Sequence, residues 1–166
     1  NVEDKSILKI QPVLPSLKVK KNEIIKIDLG DRVVQINAWE SGHTDNDLSV
    51  LDINSKILWT ENIFINRIPS IRASVLGWKK NLEKKMTMDI LKIIPGHGKI
   101  REKKEAILPM LEYFNSIIRE VRISHQEGIS LEETLKNSKI KNKNWLLFNQ
   151  YHKTNLIKVY SELEWE

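Results

Sequence analysis

Two short stretches, Gly42-His43-Thr44-Asp45-Asn46-Asp47-Leu48 and Pro95-Gly96-His97-Gly98, each set a histidine beside glycine directly after an apolar, strand-like run. A strand that runs into a glycine-flanked loop brings polar residues to the rim of a sheet, where loops carry chemistry on a rigid scaffold. The chain is therefore expected to build a sheet whose edge aims both imidazoles into one cleft. Imidazole is the commonest protein ligand for metals. The sequence contains no cysteine, which leaves His, Asp and Glu as ligands and excludes disulfide frameworks, thiolate-bound zinc and iron–sulfur clusters.

A chain of 166 residues with 40% hydrophobic content is long enough for one domain with a real core. The net charge of +5 comes from scattered lysines without a block of like charges, so no nucleic-acid partner is expected. No apolar run approaches the roughly 18–20 residues that span a bilayer, so no membrane partner is expected either.

Residues 1–22 read as an extended approach segment, because Pro12 and Pro15 interrupt their apolar pattern. From Glu23, Ile25, Ile27 and Leu29 alternate with Lys26 and Asp28, turn at Gly30-Asp31, and return through Val33 to Trp39 as a β-hairpin. Leu48 to Asp52 predicts a third strand and Ile57 to Thr60 a fourth. Glu61 to Ile71 reads as irregular. Ser74 is placed to cap a helix whose apolar face is Val75, Trp78, Leu82 and Met86. Leu91 to Ile94 predicts a short strand, and a long helix follows with Ile107, Met110, Leu111, Phe114, Ile117, Ile118 and Val121 as its stripe. Pro109 is expected in its first turn or at a kink. Gly128 stops that helix, and Ser130-Leu131-Glu132-Glu133 has capping-box spacing. Two further helical pieces are expected, Trp145 to Phe148 and one carrying Leu156 to Leu163. The class is α/β.

The order strand, Gly-His-Thr, strand, strand, acidic loop, helix, strand, Pro-Gly-His-Gly, long helix resembles the C-terminal half of a metallo-β-lactamase-fold hydrolase. Four stretches make the likeness more specific: His43-Thr44-Asp45-Asn46-Asp47-Leu48, Arg67-Ile68-Pro69, Gly77-Trp78 and Glu162-Leu163-Glu164-Trp165-Glu166. They resemble the zinc metallohydrolases of the quinoprotein relay system, which are relatives of the glyoxalase-II-like hydrolases. The resemblance implies half of an αββα sandwich over residues 23–128, with a helical C-terminal extension over 129–166. It implies zinc, with His43 and His97 as ligands, and hydrolysis of an ester, thioester or amide in a small-molecule substrate by metal-activated water. The family's bridging aspartate falls where this chain reads Thr60-Glu61-Asn62. Glu61 is the expected ligand there, and Asn62 the poorer substitute.

The family's His-x-His-x-Asp-His cluster has no counterpart, since no histidine occurs before His43. The chain alone is therefore expected to lack activity and to need its missing N-terminal half or a complementing chain. The alternative is a degenerate half-domain that serves as a binding or assembly module. Asp45 and Asp47 either accept the free ring N–H of His43 or cap the turn after Thr44. His125 and His152 are expected to be helix-end or surface residues. The resemblance is compatible with a periplasmic full-length protein.

Overall fold

The computed structural model describes residues 13–166; the first part of the proposed 1–22 segment lies outside the described residues. Six strands form one sheet in sequential order, β1 (Ile24–Asp28), β2 (Val33–Ala38), β3 (Leu48–Asp52), β4 (Ile57–Phe64), β5 (Lys92–His97) and β6 (Arg101–Glu102). Neighbours are antiparallel except β4 and β5, which run parallel because helix α1 (Val75–Thr87) crosses over between them. Strands β2, β4 and β5 consequently share one direction, and their C-terminal ends share one edge of the sheet.

The expected hairpin forms with Ile25 opposite Ile36 and Ile27 opposite Val34. The fourth strand does not stop at Thr60. It continues to Phe64 through a shift of register against β5, so Glu61 belongs to a strand and not to an irregular loop. Alternation fails as a signal there because Asn62, Ile63 and Phe64 are buried in succession. Likewise Pro95, Gly96 and His97 are the end of β5 rather than a loop after it.

Ser74 caps α1 as expected, its hydroxyl accepting from the Gly77 N–H at 2.9 Å. Helix α2 (Lys103–Gln126) buries its whole predicted stripe, and Pro109 sits inside it beyond the first turn. The capping box at Ser130 opens α3 (Leu131–Asn137). Residues 145–147 are not helical. Leu146 pairs with Arg67 in a parallel bridge, with Ile68 N–H donating to the Leu146 carbonyl at 3.0 Å, and helix α4 (Phe148–Leu163) begins only afterwards.

The two faces of the sheet differ. On one, Leu51, Leu58 and Ile93 lie side by side and join a buried cluster with Val75, Trp78 and Leu82 of α1, Ile107, Met110 and Phe114 of α2, and Leu156 of α4. On the other, Ile25, Ile36, Val50, Trp59 and Ile94 form one continuous row across five strands. None of that row is buried, and Trp59 is 39% exposed.

Candidate functional site

The shared edge assembles from three segments: the loop after β2, the chain leaving β4, and the end of β5. The first is held by Asp47, whose carboxylate is 1% exposed. It accepts from the backbone N–H groups of His43 at 2.8 Å and Thr44 at 2.9 Å, and from the Thr44 hydroxyl at 2.7 Å. The Asn62 amide adds a fourth contact at 3.3 Å. Asp47 thus builds the turn and does not accept from the imidazole; Asp45 is exposed. The acceptor role belongs to Ser70, whose carbonyl lies 3.1 Å from His43 Nδ1.

A carbonyl only accepts, so Nδ1 carries the proton and the neutral ring keeps its lone pair on Nε2. The ring is half-buried against Phe64 and Trp78, with centroid separations of 5.3 and 4.9 Å. Burial lowers its pKa below the usual histidine value, against the opposing pull of the Ser70 carbonyl and the Asp47 charge.

His97 reaches the same place from β5. Its exposed ring stacks on Phe64 at 5.0 Å, so one phenylalanine is shared by both imidazoles. Both imidazoles therefore border the same phenylalanine at one edge of the sheet. Arg67 Nη1 lies 3.4 Å from His97 Nδ1. A guanidinium only donates, so it occupies that lone pair and sets a positive charge beside the ring.

Glu61 does not join the pair. One of its carboxylate oxygens accepts from the Leu48 N–H at 3.3 Å. Desolvation raises its pKa above the usual carboxylate value, and the Asp47 charge pushes the same way. Two close approaches fix these strands. A Cβ on Gly96 would stand 2.1 Å from the Glu61 carbonyl oxygen, and one on Gly77 would stand 2.0 Å from that of Ser41. Only glycine lets β5 pass β4, and α1 pass the His43 loop, at those distances.

Beneath the loop, Lys85 is fully buried with its amine 3.6 Å from the centroid of the Trp39 ring and without a hydrogen-bond partner. Desolvation lowers its pKa to about 7, although the charges of Glu61 and Asp47 oppose that shift. His125 and His152 lie apart from the pair: His125 Nε2 meets the Tyr160 carbonyl at 3.0 Å, and His152 is buried between Tyr113 and Ser138.

Among the described residues, no group of three or more His, Asp or Glu side chains is arranged to hold a metal ion. The donors agree with that. His43 offers Nε2, His97 has its Nδ1 facing a cation, and Glu61 is turned toward Leu48. The described residues do not by themselves make a zinc centre. Sequence reasoning gave Ser70, Arg67 and Phe64 no role at the site because a backbone acceptor carries no residue signature, and because the segment holding the other two looked irregular.

No family model matches the sequence, and no curated protein matches it. Solved structures do match the fold. The stereoselective inverting sec-alkylsulfatase Pisa1 from Pseudomonas sp. superposes with a TM-score of 0.69 at 14% identity, over 93% of this chain and 27% of that one. A double mutant of the same enzyme gives 0.68 at 13% identity, again over 93% and 27%. An archaeal metallo-β-lactamase superfamily protein from Sulfolobus tokodaii gives 0.44 at 15% identity, over 85% and 47%. The chain spans about a quarter of the alkylsulfatase's length. At such identities the likeness speaks to architecture alone: this mixed α/β sheet-and-helix arrangement is shared with part of the alkylsulfatase.

Proposed function

We propose that this chain is part of a zinc-dependent hydrolase of the metallo-β-lactamase type, related to those of quinoprotein dehydrogenase systems, and that it contributes His43 and His97 to a centre completed by ligands from elsewhere. The reaction class is hydrolysis of an ester, thioester or amide. One observation carries the reading: two histidines far apart in sequence pack against the same Phe64 ring, and the inner one has Nε2 left to coordinate. Glu61 is a weaker candidate than its position in the sequence suggests, because its carboxylate is engaged with Leu48.

The test uses the protein expressed from its complete reading frame. Elemental analysis is expected to find zinc in the wild type and a marked loss in His43→Ala and His97→Ala. Zinc-free wild-type protein, or unchanged zinc in both variants, would sink the reading. A reading frame lacking His-x-His-x-Asp-His would also count against it.

A second reading is favoured by the partly exposed row Ile25, Ile36, Val50, Trp59 and Ile94, which suits a half-domain that binds another chain. Light scattering across a concentration series separates the two cases. Association of the isolated chain supports the module, and a monomer at every concentration argues against it.

A further inference from the structure

We infer that Asn155, on the C-terminal helix α4, is a positioning residue for His43: it grips the backbone on both sides of Ser70 and so holds the carbonyl that fixes the imidazole. The inference deepens the proposed role of His43 and rests on it for its functional meaning, while the geometry stands independently.

Asn155 is 1% exposed and sits in the core, where a side-chain amide is retained only if its donors and acceptor are used. Its Oδ1 accepts from the Ile71 N–H at 3.0 Å, and its Nδ2 donates to the Pro69 carbonyl at 2.8 Å. The same Nδ2 lies 3.1 Å from the Tyr113 hydroxyl. Residues 69 and 71 flank Ser70, so one amide matches the donor and acceptor of the backbone around it as a strand neighbour would. Ser70 in turn meets His43 Nδ1 at 3.1 Å.

The consequence is chemical. Free neutral imidazole exchanges between two tautomers, and the ring nitrogen that keeps its lone pair is set by the hydrogen bond the other one makes. The Ser70 carbonyl selects the Nδ1–H form and leaves the lone pair on Nε2. A backbone segment without Asn155 has an unpaired Pro69 carbonyl and Ile71 N–H in the core, and it can relax by moving the carbonyl away from the ring. Leu, Val or Met at position 155 would fill the space but not supply the pairing.

The test is the tautomer itself, read by nitrogen-15 NMR of the ring at alkaline pH, where the imidazole is neutral. The chain has four histidines, so each ring can be assigned by its own replacement with glutamine. In the wild type His43 is expected as a single Nδ1–H tautomer. In Asn155→Ala its ring signals are expected to move to those of an exchanging mixture. Tyr113→Phe removes the hydroxyl between Asn155 and His152 yet keeps both bonds to residues 69 and 71. It is expected to move the His152 signals and leave His43 as it was.

If circular dichroism shows Asn155→Ala unfolded, Asn155→Asp is read in its place, since it keeps the acceptor for Ile71 and loses the donor to Pro69. A His43 ring that stays Nδ1–H in the folded variant, that responds equally to Tyr113→Phe, or that is Nε2–H in the wild type overturns the inference. Zinc analysis of the complete protein decides the functional reading separately. A tautomer governed by Asn155 in a protein that never binds zinc would leave this inference standing and that one fallen.

Discussion

The sheet has one face that is finished and one that is not. On the finished face, Leu58 and Ile93 are completely buried under Trp78, Leu82, Phe114 and Ile107, which likewise show no exposed surface. On the other, the register places Ile25, Ile36, Val50, Trp59 and Ile94 in an apolar row of which none is buried, Trp59 being exposed and the other four half-buried. The aliphatic residues alone do not explain the contrast, since Leu51, Leu58 and Ile93 on one face and Ile36, Val50 and Ile94 on the other are alike in type. Covering makes the difference. The helices supply stability to one side, and the second side has apolar area whose stabilising burial requires a partner layer.

The contrast can be broken most forcefully at Trp78. Its ring is buried and its indole N–H donates to the Asn62 carbonyl at 3.0 Å, so Trp78→Ala is expected to cost about 3–5 kcal/mol in denaturant unfolding. A loss below about 1 kcal/mol would mean that the helical face is not the main source of stability.

The next largest effect belongs to Lys85. Its amine titrates near 7 in the fold and near 10.5 when unfolded. Between those values the unfolded chain binds the additional proton, so stability rises with pH across that window. Below about 7 both states are protonated and the penalty is fully present, without further slope. Lys85→Met is expected to flatten this dependence and to add about 1–4 kcal/mol at neutral pH. An unchanged slope would show that the amine is paired.

The smallest expected effect sharpens the comparison from the other side. Trp59→Lys should change the stability of the isolated chain by no more than about 0.5 kcal/mol, because the side chain is already partly in water. The same substitution should abolish any concentration-dependent association seen by light scattering. A large destabilisation of a monomeric chain would mean that something already covers the row.

Much of this architecture is legible in the sequence. The hairpin could be read from the alternation of Ile25, Ile27 and Leu29, and α2 from its stripe, because burial on one side imposes a period of two or of 3.6. Ser74 and Ser130 could be read as caps because orphan helix amides demand such side chains. Strand β6, only Arg101–Glu102, is too short to show a period. The continuation of β4 was hidden by its shift of register. That His43 and His97 lie at one sheet edge was legible from the glycine-flanked stretches that follow apolar runs. Their different settings were not, because Ser70 acts through its carbonyl, which every residue type possesses. Arg67 reaches His97 from a segment whose course depends on pairing with Leu146.

Glu162 gives the molecule an unexpected order of assembly. Its carboxylate accepts from the Ser74 hydroxyl and from the N–H groups of Val75 and Leu76, at 2.6, 2.8 and 3.3 Å, so the opening turn of α1 is completed by the closing turn of α4. Those amides stay unsettled until the C-terminal helix has docked, and native-state hydrogen exchange should find them opening together with it. Helix α1, which carries the Trp78 packed against His43, is thus finished by a residue that leaves the ribosome long after it does, which couples the setting of His43 to the far end of the polypeptide.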